Sequence, residues 1–226
     1  MNYLFISLDI ALLFFVLVLG TYKPVNFMRR WKSAFLAGSI MAIVSSLMSL
    51  LLTSSGIIGF NPEFSLGLIV YNLPIEELLF YFSFPLFSIF IYENLKYYFR
   101  KTPMRWTNLI VKLFIPGFCL FIALLEDSGT YTLAVLGLTT LTFVLWSLYP
   151  SLQKIAATYL ICLLPYLLTR YLLIGTEINP SSIWHNESHQ LSIKIGTLPM
   201  EEIADGFALI VASTILYEII QKLRLR

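Results

Sequence analysis

The sequence predicts an all-α polytopic membrane protein with seven transmembrane helices. Of the 226 residues, 58% are hydrophobic and only 12% are charged, and a soluble domain of this length cannot bury that much apolar surface. The apolar residues also fall into seven runs close to the roughly 20 residues that cross a bilayer as a helix. Because the runs do not alternate in polarity, helices rather than barrel strands are expected to satisfy the backbone in lipid.

The seven runs are separated by polar or charged segments. In chain order they are Tyr3–Gly20, Trp31–Leu52, Ile75–Tyr98, Leu109–Leu125, Tyr131–Leu148, Leu152–Ile174 and Pro199–Ile220. Of the 15 Lys and Arg residues, 13 lie in or next to the segments that follow the odd-numbered runs. The positive-inside rule therefore predicts an outside N-terminus, a cytoplasmic C-terminus and an integral, multi-pass protein of the cell membrane. Membrane lipid is an expected partner, whereas a net charge of +2 gives no indication of nucleic acid.

A short motif occurs twice with the same spacing. Residues 73–77 (Leu-Pro-Ile-Glu-Glu) open the third run, and residues 198–202 (Leu-Pro-Met-Glu-Glu) open the seventh, 125 residues later. A Tyr-Glu pair ends 19 residues after the proline in each copy, at Glu93 and Glu218. The spacing predicts a parallel internal repeat, with three helices in 1–100, a connecting fourth helix in 101–128 and three helices in 129–226.

The loops before the third and seventh runs are expected to form short hairpins. In the first loop, residues 57–60 and 64–70 flank a turn-prone Asn-Pro-Glu, and in the second loop residues 182–185 and 190–195 have strand-like patterns. An Asn-Pro pair occurs in both loops, at 61–62 and at 179–180.

The glutamates of the repeated motif are the candidate catalytic residues: Glu76, Glu77, Glu201 and Glu202. Proline suits the first position of a helix and glutamate its first turn, so an ordinary helix N-terminus is the alternative interpretation. Two copies at matched depth favour a function, because carboxylates close to hydrocarbon are costly. Clustered carboxyl groups in an apolar site cannot all be ionised. We therefore expect a protonated acid beside an ionised base, the arrangement needed for general acid–base catalysis.

Other residues are expected to support this site. Asp205 follows the second glutamate pair by one helical turn. Arg170 is expected at the same membrane depth as these acids. There it either pairs with Asp9 or one glutamate, or it keeps one carboxylate ionised so that this carboxylate acts as a base. The aromatic third run, including Phe80 and Tyr81, either packs or stabilises a developing cation near an acid.

Small side chains in the seventh run permit close helix contact or leave a slot for a flat apolar ligand; these are Gly206, Ala208, Ala212 and Ser213.

The remaining polar residues of the runs are given structural interpretations. Glu93 and Glu218 are interpreted as solvated helix ends. Cys119 and Cys162 are expected to pack, and no metal site is predicted.

Three segments identify a family resemblance. Residues 59–62 (Gly-Phe-Asn-Pro), 73–80 (Leu-Pro-Ile-Glu-Glu-Leu-Leu-Phe) and 90–93 (Phe-Ile-Tyr-Glu) resemble the lycopene cyclase domain, and 198–202 with 217–218 is similar to its companion domain. The resemblance covers essentially the whole chain and is that of a fused two-domain form of the heterodimeric-type enzymes.

The resemblance implies a lycopene β-cyclase of carotenoid biosynthesis, an intramolecular lyase or isomerase that converts lycopene through γ-carotene to β-carotene without a cofactor. The family's Pro-x-Glu-(Glu/Asp) motif carries over to the four glutamates, with Asn61, Pro74 and Pro199 in supporting positions. No Gly-x-Gly-x-x-Gly segment opens a βαβ unit that would hold a flavin. Lycopene and its cyclised intermediates are the implied partners, and a homo-oligomer or other carotenoid-pathway enzymes are left open.

Two other classes share these sequence features. A retinal protein requires a lysine deep in the seventh helix, but Lys222 lies beyond the end of that run. A proton-coupled seven-helix transporter, or a membrane protein that binds an apolar ligand, is the stronger alternative. A transporter predicts broken helices that meet at mid-membrane, whereas the acids here cluster towards one surface.

Overall fold

The helices lie close to the predicted runs. The computed structural model describes residues 3–22, 25–125, 129–149, 154–175 and 182–224. Its α-helices in these ranges are α1 (Leu4–Gly20), α2 (Trp31–Ser54), α3 (Ile75–Tyr98), α4 (Arg105–Ala123), α5 (Thr130–Leu148), α6 (Ile155–Ile174) and α7 (Glu201–Arg224). Six of them are long and apolar enough to cross a membrane, while α1, with 17 residues, is shorter. The predicted all-α class is confirmed.

Short strands gather at the end of the bundle where α3 and α7 begin, which we call the hairpin end. They are β1 (Ile58–Phe60), β2 (Ile69–Val70), β3 (Leu73–Pro74), β4 (Ile183–His185), β5 (Lys194–Ile195) and β6 (Leu198–Pro199). β2 pairs with β3 and β5 pairs with β6, whereas β1 pairs antiparallel with β4 from the other loop.

The predicted pairings within the two loops, between residues 57–60 and 64–70 and between residues 182–185 and 190–195, are therefore wrong. The tight turn of the first loop lies later, at Tyr71 and Asn72, which both have positive φ (49° and 68°). Two such residues match the twist of a two-residue hairpin. Because β2 pairs with β3, the backbone groups of β1 form their hydrogen bonds with β4 instead.

The two halves correspond at an offset of 125 residues from β1 to the end of α3. The strands β1 and β4, β2 and β5, and β3 and β6 follow this offset, and the ends of α7 lie within one residue of it relative to α3. Asn61 corresponds to Asn186, since each side chain accepts from the backbone N–H two residues later at 3.1 Å. The predicted partner of Asn61, at 179–180, lies outside the described residues.

The central helices are α3 and α7. α3 contacts α1, α2, α6 and α7, and α7 contacts α5, α6, α2 and α3, so each helix has the equivalent neighbours. Ser88 and Ser213, 125 residues apart, join the two helices with a hydrogen bond of 2.9 Å between their hydroxyl oxygens. The central pair therefore brings both copies of the motif into one bundle.

Glu93 and Glu218 are buried, so their interpretation as solvated helix ends is wrong. Glu93 is 2% exposed and Glu218 8%. Arg30 pairs with Glu93, and Lys96 Nζ lies 3.2 Å from Glu93 Oε1 and 2.5 Å from Glu218 Oε1. The two cations compensate the two carboxylates, which makes their burial tolerable at this end of the bundle.

Candidate active site

The first glutamate of each motif binds a loop. Glu76 Oε1 accepts a hydrogen bond from the backbone N–H of Leu66 at 2.5 Å, and Glu201 Oε1 accepts from Leu191 at 2.7 Å. These pairs correspond at the same offset of 125 residues. Glu201 also accepts from Thr132 Oγ1 at 2.8 Å, which ties α7 to α5. Both glutamates therefore attach the hairpin-end loops to the central helices.

The second glutamate of each motif faces Arg170. Glu202 accepts hydrogen bonds from Arg170 Nε at 2.9 Å and Nη2 at 3.2 Å, and Glu77 Oε1 lies 3.7 Å from Arg170 Nη1. The expected pairing of Arg170 with a glutamate is confirmed. The alternative pairing with Asp9 is wrong, because Asp9 accepts from Ser83 Oγ at 3.2 Å. One guanidinium thus bridges the two halves of the chain.

Tyr166 joins Glu202 to Asp205, the carboxyl that was expected to flank the second motif. Its Oη lies 3.1 Å from Glu202 Oε2 and 2.6 Å from Asp205 Oδ2. A phenol has a single O–H to donate. For both contacts to be hydrogen bonds, one of the two carboxyl groups must carry a proton and donate it to the phenol oxygen.

Tyr131 and His185 complete the surroundings of Glu202. Tyr131 Oη donates to Glu202 Oε1 at 3.3 Å, and His185 Nε2 lies 3.8 Å from the same oxygen. The His185 ring is 5.0 Å from the Tyr131 ring, and its side chain is 3% exposed. Burial lowers the pKa of His185 to about 4, so the imidazole is neutral at neutral pH and does not compensate another carboxylate.

Tyr166, Tyr131 and His185 were not among the residues predicted from the sequence. Tyr166 could have been found, because it precedes Arg170 by four residues and such residues lie on one helix face. Tyr131 lies in the first turn of α5 and His185 lies in β4, and neither belongs to the repeated motif. Their positions depend on tertiary packing.

A cavity of about 220 Å³ extends from this cluster between α2, α5 and α7. Its polar end is formed by Arg170, Asp205, Tyr81 and Tyr131. The remainder is mostly apolar and includes Met41, Val44, Met48, Val135, Leu138 and Leu141. Ala208 and Ala212 of α7 also line it, in agreement with the predicted slot beside small residues. Among the described lining residues, Asp205 carries the one carboxyl group.

The aromatic residues expected near the acids divide into two groups. Tyr81 lines the cavity, whereas Phe80 is fully buried, with its ring 6.1 Å from that of Tyr166 and 5.9 Å from Arg170 Cζ. Phe80 therefore supports the cation of the cluster from behind the cavity wall.

Three further predicted site residues lie in the hairpin-end loops. Asn61 opens a short 3₁₀ turn, and Pro199 lies in β6. Pro74 lies in β3 and is the N-cap of α3 in an extended conformation (φ −66°, ψ 147°). The prolines thus precede the first helical residue, and the expectation that they occupy it is wrong. Paired in hairpins, they fix where each central helix begins.

The family of the chain follows from a comparison with known proteins. A family model described as lycopene cyclase matches residues 2–95 and 128–220. These two segments make up most of the chain, so the chain belongs to the lycopene cyclase family, and the resemblance inferred from the motifs is confirmed. No curated protein and no solved structure matches the chain.

Proposed function

We propose that the chain is a lycopene β-cyclase, which isomerises the open ends of lycopene to β-ionone rings by acid–base catalysis inside the membrane. Family membership supports a carotenoid cyclase-type function. The observation that carries the finer assignment is the cavity, which is mostly apolar along its length and ends at Asp205 beside the Glu202–Arg170 pair. The end of a polyene requires an apolar cavity of this kind to bind, and its cyclisation requires a proton donor at the inner end of that cavity.

Asp205 is the proposed proton donor. Glu202 holds Arg170 through two hydrogen bonds and is the carboxylate that remains ionised. Glu77 also lies near Arg170, and Asp205 is linked to Glu202 through Tyr166, so three carboxyl groups cluster around one buried guanidinium. Such a cluster retains a proton. The phenol of Tyr166 contacts both Glu202 and Asp205, and because Glu202 is held by Arg170, this contact supports Asp205 as the carboxyl group that carries the proton. Asp205 is also the carboxyl group that reaches the cavity.

The reaction is an isomerisation in which protons balance. Asp205 gives its proton to the terminal double bond of the polyene, and a tertiary carbocation forms. The nearby internal double bond attacks this cation, which closes the six-membered ring and moves the positive charge into it. The Asp205 carboxylate then removes a proton from the ring carbon next to the cation, so that the ring double bond forms and the acid is regenerated.

The residues around Asp205 suit a cationic intermediate. The Asp205 carboxylate that remains after proton donation and the aromatic rings of Tyr81 and Tyr131, which line the cavity, stabilise positive charge there. The apolar walls exclude water, which would otherwise trap the cation as an alcohol. Glu76 and Glu201, which bind loop N–H groups, position the central helices and take no part in proton transfer in this scheme.

The membrane orientation predicted from the charges is part of the proposal. Arg30, Lys96, Arg100 and Lys154 lie around one cavity at the end of the bundle opposite the hairpins. The positive-inside rule favours the cytoplasmic side for this basic end. The acid cluster then lies near the outer side of the cell membrane, within a bundle of two related three-helix units and a connecting helix.

The test is the pigment made by a bacterial host that accumulates lycopene. Expression of the chain should replace lycopene with ringed carotenes in the extract. The single variants Asp205→Asn, Glu77→Gln and Glu202→Gln should leave lycopene, whereas Glu76→Gln and Glu201→Gln should still form rings. Unchanged lycopene with the unmodified chain present in the membrane would refute the proposal and favour transport or simple binding.

A further inference from the structure

The cavity opens at the side of the bundle rather than at the hairpin end. Val44 of α2 and Leu141 and Leu145 of α5 line it and are 48, 57 and 37% exposed. These apolar residues form a rim on the flank of the bundle, where a membrane-spanning helix faces lipid. An apolar ligand dissolved in the bilayer reaches such an opening without crossing water.

We propose that the gap between α2 and α5 is a lateral portal through which one end of a lipid-dissolved polyene enters, and that each chain contains a single site of this kind. The inference rests on the proposed function and adds the entry route and the number of sites. The motif occurs twice, so the duplicated sequence by itself would suggest two sites.

The corresponding space in the other half of the bundle is filled. At the offset of 125 residues, Asp205 corresponds to Phe80, Leu209 to Phe84 and Ala212 to Phe87. Phe80 and Phe84 are fully buried and Phe87 is 8% exposed.

These three aromatic rings form a continuous cluster across the equivalent gap. Neighbouring rings are tilted against each other, with centroids 5.4 Å (Phe80–Phe84) and 5.8 Å (Phe84–Phe87) apart. Phe87 continues to Phe15 of α1 at 5.7 Å, and Phe84 to Tyr166 of α6 at 5.3 Å. This aromatic cluster joins α1 to α6, the helices that correspond to α5 and α2, and it fills the space beside α3 that Asp205, Leu209 and Ala212 leave open beside α7.

The size of the cavity limits its occupant to one end of the polyene. A dry apolar cavity of about 150 Å³ accommodates benzene, so about 220 Å³ holds a ring-sized terminus and a few further carbons. The rest of the chain must remain outside the rim, in lipid. Cyclisation of both ends therefore requires the monocyclic intermediate to leave, reverse and bind again.

Release of the intermediate is testable by dilution of a label. The protein is reconstituted in phosphatidylcholine vesicles with isotopically labelled lycopene, and an excess of unlabelled monocyclic carotene is added during turnover. We expect the label in the bicyclic product to fall in proportion to the dilution. Bicyclic product that keeps its full label would overturn the single-site inference, since both ends would then be cyclised without release.

Two substitutions test the portal. Leu141→Trp narrows the rim, and Ala212→Phe places in the cavity wall the residue found at its counterpart. Because misplacement of a substrate by about 1 Å costs about 100-fold in rate, each variant should lose about that factor in ring formation. Leu164→Trp is the matched control, since Leu164 is 75% exposed on α6, away from the cavity lining, and should keep the activity of the unmodified chain.

The outcomes separate the inference from the function. Full activity of Leu141→Trp, a substitution at an exposed position that the fold should accept, would overturn the portal while the cyclase function stands. Full activity of Ala212→Phe would overturn the assignment of the binding site to the cavity between α2, α5 and α7. Absence of any ringed product from the unmodified chain would overturn the proposed function and this inference with it.

Discussion

Replacement of Asp205 by Asn removes one proton and little else. The amide has the shape of the carboxyl group, and its NH₂ can donate to the oxygen of Tyr166, which lies 2.6 Å from Asp205 Oδ2, as the protonated carboxyl group does. The Glu202–Arg170 pair behind it keeps both of its hydrogen bonds. The substitution therefore tests proton donation while the surrounding cluster is retained.

The magnitude follows from the role of a general acid. A positioned acid contributes about 10²–10⁴-fold, which is about 3–5 kcal/mol of activation free energy at roughly 1.4 kcal/mol per factor of ten. No other carboxyl group among the described residues lines the cavity. Because nothing else there can replace the proton, the upper part of this range is expected for Asp205→Asn.

The assay is the initial rate of ring formation by purified protein in lipid vesicles, with products separated by chromatography. Asp9→Asn is the matched control, because Asp9 is also a buried aspartate, accepts from Ser83 and lies outside the cavity lining. It should retain most of the activity. If Asp205→Asn cyclised lycopene as fast as Asp9→Asn, the assignment of the acid would be refuted.

Three further predictions concern the surroundings of the acid. Glu201→Gln keeps an acceptor for the Leu191 N–H and should remain active, whereas Glu201→Ala leaves that buried N–H unpaired and should lower the free energy of unfolding by about 1–3 kcal/mol. The pKa of His185 in the folded protein is about 4, below its ordinary 6.5. The free energy of unfolding should therefore fall by up to about 3 kcal/mol as the pH falls from 6.5 to about 4. His185→Phe should abolish this pH dependence in unfolding experiments. In Gly206→Ala, the new Cβ would lie 2.8 Å from Tyr166 Cδ1, so the ring must shift and the rate should fall by up to about 100-fold.

Each of these predictions has an internal control. Gly117→Ala introduces the same methyl group on α4, where a Cβ meets nothing within 4 Å, and should leave the rate unchanged. Phe60 occupies the position that corresponds to His185, 125 residues earlier, so His185→Phe introduces the residue type that the other half has at this position of its strand. Equal stability of the Gln and Ala variants of Glu201, or equal acid sensitivity with and without His185, would contradict the respective contacts.

The sequence predicts the scaffold better than the site. The apolar runs give the helices to within a few residues, because length and hydropathy alone decide them. The repeated motif marks Glu77, Glu202 and their neighbour Asp205, since paired carboxylates near hydrocarbon require a partner. Sequence spacing does not reveal that Tyr131 from α5 and His185 from β4 surround Glu202, because those contacts arise when separate elements pack.

The same limit explains the loop error. Within the first loop, two segments with strand character made local pairing the simplest expectation. The hairpin turn, however, is set by Tyr71 and Asn72, and β1 is left to pair with β4 across the two halves. A pairing between distant segments leaves no periodic signal in either segment, so only the assembled bundle defines it.

The correspondence between the halves has a chemical consequence. Both copies keep the glutamate that binds a loop N–H and the glutamate that faces Arg170, so these contacts belong to the shared architecture. The copies diverge one turn later, where α7 has Asp205 and small residues and α3 has Phe80 and a cluster of aromatic rings.

A cluster of several acids with one cation needs rigid surroundings to hold a proton in a defined place. The filled half supplies that rigidity through Phe80 and Phe84 against Tyr166, and the open half supplies room for the substrate. Phe84→Ala opens the filled half and should therefore not create a second site. It should instead slow ring formation at the Asp205 site, because Tyr166, whose phenol contacts Asp205, loses its packing against the Phe84 ring.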